Sequence, residues 1–191
     1  MIKIDVLAIG SFQRDENGKV FDAHSNSTLV RSDDRIIVVD TSTNHMRPAL
    51  KTSFKQIGVF PKDVDTVILT HSHGDHVGNN DMFQNAKILM HSAEEGKVEG
   101  AVLFDKDMEI DKGIKIVHTP GHTRGSVSVF IEADKRYVIA GDAVPRRGNY
   151  ENMSPPVIHY NENVALESIK LISKYADMIV PGHDQPFVTK K

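Results

Sequence analysis

"THSHGDHVGNN" (residues 70–80) sets His71, His73, Asp75 and His76 within six positions of a chain that has ten histidines in 191 residues. Side chains of an extended segment alternate with period two, so His71 and His73 project to one side. Gly74 then admits a sharp reversal that turns Asp75 and His76 toward a neighbouring point. Imidazole nitrogen and carboxylate oxygen are ligands for zinc, and also for iron or manganese. One loop of this kind can feed two metal ions but saturate neither. The rest of the chain has to supply further ligands.

It does so by a repeated arrangement. "DTVILT" (65–70) is a short apolar run that leads straight into His71. "RIIVVD" (35–40) ends on Asp40, "GIKIVHT" (113–119) precedes His122, "RYVIAG" (136–141) precedes Asp142, and "DMIVP" (177–181) precedes His183. Runs rich in β-branched residues and bounded by Gly, Pro or Asp read as strands. Further runs lie at 4–9, 27–32, 86–91 and 126–132. His122, Asp142 and His183 each follow a glycine, which lets the backbone pass close to a site. If the strand ends share one edge, their polar residues converge there on a rigid scaffold. Helical periodicity marks 47–58, with Leu50, Phe54 and Ile57 on one face and Gly58 as stop. It also marks 161–176, with Val164, Leu166, Ile169, Ile172 and Tyr175 on one face and Asn161 or Asn163 as cap. Strands partly adjacent and partly separated by helices imply layered sheets with helices outside them.

Composition narrows the function classes. Residues 1–191 fit one domain with a sizeable core. The formal net charge of −3 argues against a partner recognised by its nucleic-acid backbone. The absence of cysteine excludes disulfides, thiolate metal sites and a cysteine nucleophile. The N-terminus is too short and charged for a signal peptide, and no apolar run approaches a membrane span. The expectation is a cytoplasmic protein that acts on a small-molecule substrate, with homo-oligomer formation left open.

With these motifs in their order, the chain resembles the metallo-β-lactamase superfamily. "VVDTS" (38–42), "THSHGDH" (70–76), "TPGHTRGS" (119–126), "AGDAV" (140–144) and "VPGHDQPF" (180–187) are similar to its successive motifs. The resemblance implies a four-layer αββα sandwich, two mixed β-sheets with helices on the outer faces. It implies two divalent metal ions, zinc first and iron or manganese next. His71, His73 and His122 would bind one ion and Asp75, His76 and His183 the other. Asp142 would bridge them, and Asp40 would orient a ligating histidine or the Asp75 loop from behind. A water between two divalent cations becomes a hydroxide near neutral pH, with Asp75 able to shuttle a proton. Asp75 and Asp142 are therefore the candidate catalytic residues.

Departures from subfamily patterns narrow the reading further. Members with a cysteine ligand are excluded, and lactamases proper generally lack the bridging aspartate. His73 stands where flavodiiron oxidoreductases carry glutamate. Only nineteen residues separate His122 from Asp142, too few for the inserted domain of RNA-cleaving members. The chain stops eight residues after His183, short of the glutathione-binding helical domain of glyoxalase II. A glyoxalase II-like hydrolase of a small ester, thioester or lactone remains the first expectation. A mononuclear-iron persulfide dioxygenase-like oxidoreductase and a metal-dependent phosphodiesterase or nuclease are the alternatives.

The segment 144–163, rich in Gly, Pro and Asn, is the expected substrate loop. Arg146 and Arg147 could hold a carboxylate or phosphate, and Tyr150 or Tyr160 could donate to an oxyanion. His159 lies in the same loop, and His24 and His45 lie in segments that could border the cleft. The alternative for each is a solvated or packing role.

Overall fold

The computed structural model describes residues 1–190. Fourteen strands and four α-helices alternate along them. One six-stranded sheet runs β1 (Lys3–Ala8), β4 (Ser27–Arg31), β5 (Ile36–Val39), β6 (Thr66–Ile68), β7 (Lys87–His91) and β8 (Val102–Phe104). The other runs β14 (Phe187–Val188), β13 (Met178–Pro181), β12 (Arg136–Gly141), β11 (Val127–Glu132), β10 (Ile114–His118) and β9 (Met108–Asp111). A separate hairpin joins β2 (Ser11–Arg14) to β3 (Val20–His24).

Alternation along the strands builds the layers. Ile37 and Val39 of β5, Ile68 of β6, Ile114 and Ile116 of β10, Ile139 of β12 and Val180 of β13 fill the space between the sheets. Val38 and Val67 face the other way, onto α1 (Arg47–Ile57), through Leu50 and Phe54. Val138, Ala140 and Ile179 likewise meet Ile169 and Ile172 of α4 (Glu162–Tyr175). The order is helix, sheet, sheet, helix, the expected αββα sandwich. Complete burial of a side chain such as Leu50 or Ile169 stabilises by about 1.5–3 kcal/mol.

Both expected helices form, with local causes. Gly58 caps α1 in the left-handed region at φ 76°, where it lacks the penalty of a Cβ. Asn161, rather than Asn163, caps α4 by accepting from the Val164 backbone N–H. The sequence reading missed β2, β3, β8, β9 and β14. These strands are only two to five residues long and largely exposed or half-buried, so they lack the long apolar runs that mark the core strands. It also missed two short helices, α2 (Gly74–Val77) and α3 (Arg147–Glu151). The expected reversal at Gly74 is corrected by α2. Gly74 is not in the left-handed region, and the chain turns there because a helical turn begins after the extended His73.

Parallel pairing decides where the ligands go. β5 and β6 are parallel, as are β12 and β13. β10 and β12 both pair antiparallel with β11, so they share one direction. The C-terminal ends in each sheet therefore lie at one edge. Among the described residues no helix is long and apolar enough to cross a membrane.

Candidate metal centre and active site

At that edge the structure brings together all seven residues expected as ligands. His73 Nδ1 lies 3.0 Å from His71 Nε2 and 3.0 Å from His122 Nε2. Asp75 Oδ2 lies 3.5 Å from His183 Nε2. Asp142 stands between the two groups. Its Oδ2 faces His122 Nε2 at 3.5 Å, and its Oδ1 faces His76 Nε2 at 3.5 Å and His183 Nε2 at 3.2 Å. Ligand atoms of His71, His73 and His122, of Asp75, His76 and His183, and of His71, His76 and Asp142 each fall within 4.8 Å of one another.

Hydrogen bonds behind the rings determine which nitrogen faces inward. A carbonyl or carboxylate can only accept, so a ring nitrogen bonded to one carries the proton. His122 Nδ1 donates to the Ile158 carbonyl at 2.7 Å, and His183 Nδ1 to the His24 carbonyl at 2.9 Å. His76 Nδ1 donates to Asp40 Oδ2 at 2.7 Å. The Thr70 hydroxyl donates to Asp40 Oδ2, which leaves its oxygen to accept from His71 Nδ1 at 3.1 Å. Four histidines thus turn Nε2 toward the centre, the arrangement of imidazoles that bind a cation.

The donor set fits bound metal on its own geometry. His76 Nε2 and Asp142 Oδ1 are fully buried and make no hydrogen bond. Such orphaned polar atoms are costly unless something positive sits between them. Burial and the neighbouring His76 hold the His71 pKa well below its usual value, and burial lowers His122 too. Both are neutral and ready to donate a lone pair. Burial also opposes charge on His76 and His183, but the carboxylates beside them more than offset it and raise both pKa values. Burial works against the Asp142 anion as well. The His183 and His76 imidazoles reverse that effect and hold its carboxyl well below the usual range.

Close approach requires glycine at two positions. A Cβ on Gly182 would overlap Asp142 Oδ1. Gly141 adopts φ 50°, and a Cβ there would meet the Thr70 hydroxyl at 2.6 Å.

A cavity of about 330 Å³ opens beside the centre. His122, Asp142 and His183 form its floor. Phe12 and Arg14 of β2, Arg146, and the apolar run Pro156–Ile158 form much of its wall. Phe12 stands edge-on to His183 at 5.7 Å between ring centroids. Arg146 also donates to the Phe12 carbonyl and covers the Phe12 ring.

The other expected substrate residues are placed differently. Arg147 does not line the cavity: it pairs with Glu151 at 3.0 Å and covers Phe187. Arg14, remote in sequence, lines the cavity together with Arg146 instead. Tyr160 packs under Arg124, and His159 bonds the Pro156 carbonyl. Tyr150 is buried, with its hydroxyl on the Lys190 carbonyl. His24 uses both ring nitrogens, on Asp22 and the Ile9 carbonyl, while His45 is exposed. Sequence reasoning missed Phe12 and Arg14, because nothing in "SFQRDENG" signals a cavity wall. It also missed Glu94. One Glu94 oxygen accepts from the Ser72 backbone and hydroxyl, at 2.8 and 2.7 Å. The other accepts from the Gly125 backbone at 3.1 Å and from the Thr123 hydroxyl. Glu94 thereby ties the His71–His73 loop to the His122 loop.

The family model of the metallo-β-lactamase superfamily matches residues 20–99 and 98–183. The chain belongs to the metallo-β-lactamase superfamily. Within it, the chain is 41% identical over 183 residues to "Probable metallo-hydrolase MJ0296" of Methanocaldococcus jannaschii, covering 96% of this chain and 87% of that one. It is 33% identical to metallo-beta-lactamase domain-containing protein 1 of Xenopus laevis, covering 96% and 80%. It is 31% identical to an N-acyl homoserine lactonase of a Bacillus species, covering 68% and 60%. Among solved structures, one from Thermotoga maritima superposes with a TM-score of 0.82 at 22% identity, covering 98% of this chain and 99% of that one. An N-acyl homoserine lactone hydrolase with its product at the catalytic metal centre superposes at 0.76 and 22%, covering 96% and 92%. These structures share the superfamily fold, and the relatives place this chain among metal-dependent hydrolases.

Proposed function

We propose that the chain is a dinuclear hydrolase of a small ester, thioester or lactone. The observation that carries this reading is Asp142, which turns one oxygen toward each of two three-residue ligand groups while Oδ1 and His76 Nε2 lie buried without hydrogen bonds. His71, His73 and His122 would hold one ion and Asp75, His76 and His183 the other, with Asp142 shared between the two groups. Zinc suits this nitrogen-rich set, and iron or manganese can replace it. Two such ions supply a water deprotonated near neutral pH and a Lewis acid for the scissile carbonyl.

The protein's own groups do the rest. Asp40 keeps the proton on His76 Nδ1. Asp75 is the more open of the two carboxylates, its side chain 23% exposed against 10% for Asp142. It is therefore the one placed to take a proton and pass it to a leaving group. Phe12, Pro156, Val157 and Ile158 receive an apolar acyl portion and exclude water from it. Arg14 and Arg146 attract a substrate whose product is a carboxylate. The lactonase relative supports a lactone among the candidate substrates.

The test is metal analysis with three substrate series: acyl lactones, acyl thioesters and short esters. The expected result is turnover of at least one series, lost in His71→Ala and Asp142→Ala together with metal. Unchanged metal content and activity in both variants would overturn the reading. A single iron and oxygen consumption with a persulfide would replace it with the dioxygenase alternative.

A further inference from the structure

The ring of His24 lies outside the seven-residue centre, although the His24 carbonyl supports His183. It faces Asp22 and His45. Asp22 Oδ1 is 3.0 Å from His24 Nδ1 and 3.9 Å from His45 Nε2, and each of the three residues offers a ligand atom within 4.8 Å of the others'. We propose that Asp22, His24 and His45 form a third divalent-cation site, two imidazoles and one carboxylate, that takes a first-row ion such as zinc.

The tautomer of His24 makes the first argument. His24 Nε2 bonds the Ile9 carbonyl at 3.1 Å and must donate there. A neutral His24 then presents the Nδ1 lone pair to a carboxylate oxygen, which requires a positive charge between them. A proton would serve the Asp22–His24 pair alone. A divalent cation would also take in His45 Nε2, which lies 3.9 Å from the same oxygen. His45 Nδ1 engages the Thr43 hydroxyl at 2.9 Å, which leaves Nε2 as the atom offered to Asp22.

Geometry makes the second. Ligand atoms on a tetrahedral zinc with bonds near 2.0–2.1 Å stand about 3.3–3.4 Å apart, and the two distances from Asp22 bracket that value. The His24 and His45 rings meet at 5.2 Å and 88°, the same relation as His76 and His183 at 5.3 Å and 87°. The Ser11 hydroxyl helps hold the Asp22 carboxyl below its usual range, so the carboxylate is an anion. His45 is 58% exposed at its side chain and His24 11%, which leaves the outer coordination positions to water.

Such an ion would pin the β2–β3 hairpin, which carries Phe12 and Arg14, to the turn at Asn44–Met46 before α1. It would also stiffen the carbonyl that holds His183.

The experiment uses the full chain, stripped with a chelator and dialysed against zinc, with ions counted by elemental analysis. The expected result is one ion fewer per chain in His45→Gln and in Asp22→Asn than in the wild type. A smaller rise in thermal midpoint on zinc addition should accompany the loss. In a His71→Ala, Asp142→Ala background, the remaining ion should disappear when His45→Gln is added. Equal ion counts in the wild type, His45→Gln and Asp22→Asn would overturn the proposal. The difference between variants reads this site whatever the seven-residue centre holds, so the two readings fail separately.

Discussion

The Asp40 carboxylate lies 2.7 Å from His76 Nδ1, with both side chains buried. Asp40 belongs to none of the ligand groups, yet it directs one of them. It accepts from the Thr70 backbone and hydroxyl as well as from His76. Its backbone sits in the left-handed region at φ 56°, a conformation that costs a non-glycine residue on the order of 1–3 kcal/mol. The chain tolerates that strain because the turn aims a carboxylate at the back of the imidazole.

Asp40→Asn keeps a side chain that accepts the left-handed turn but removes the anion behind His76. Metal affinity at the Asp75–His76–His183 group should fall about 10–100-fold, the usual effect of losing a partner behind a ligating histidine. Competition with a chromophoric chelator measures it, and an unchanged affinity would remove Asp40 from the site.

Metal uptake should release protons unevenly. In the metal-free protein His76 and His183 have raised pKa values, while His71 and His122 are lowered. The stabilising charge on His76 is fully present below the usual value of about 6.5 and is lost as pH rises through the raised one. Zinc must displace that proton. Titration calorimetry in buffers of different ionisation enthalpy should show more protons released on filling the Asp75–His76–His183 group than on filling the His71–His73–His122 group.

Gly182→Ala places a methyl group on Asp142 Oδ1. The carboxylate has to move, so the variant should bind fewer ions and lose activity even where circular dichroism shows the fold intact. Elemental analysis of the folded fraction decides it.

Glu94→Ala removes the acceptor shared by the two histidine loops. Leaving those donors unpartnered should cost about 1–3 kcal/mol, read as a lower thermal midpoint in the metal-free protein. Weaker binding at the His71–His73–His122 group should accompany it. Retention of both properties would reduce Glu94 to a surface role.

Arg146→Ala should raise KM for substrates that carry or generate a carboxylate about tenfold, equivalent to about 1.4 kcal/mol, with a smaller effect on uncharged esters. Arg147→Ala should leave both unchanged, since Arg147 pairs with Glu151 away from the cavity. Steady-state kinetics on the two substrate types separates them.

The layers and the ligand candidates were legible in the sequence because each rests on a local pattern. Short apolar runs rich in Ile and Val marked the core strands, Gly58 marked one helix end and Asn161 or Asn163 the start of the other, and the candidate ligands lay in the segments just past apolar runs. The hairpin at 11–24 was not legible, since its strands are short, polar and half exposed. Arg14 illustrates the consequence: it shares a cavity with Arg146 only because β2 folds across the strand ends. The adjacent pair at 146–147 suggested a joint role that the start of α3 prevents, because the two side chains leave the backbone in different directions.

Periodicity and motif order in the sequence pointed to layered sheets and to the seven candidate ligands, because apolar runs and ligand spacing are properties of neighbouring residues; the αββα order and the division of the ligands between two ions were what the superfamily resemblance implied. The tertiary structure decided which ring nitrogens face the centre and which residues wall the cavity. It also decided that Asp22, His24 and His45 meet. Those outcomes depend on hydrogen bonds such as His183 to the His24 carbonyl, formed across 159 positions, and on packing between loops whose separation no local pattern encodes.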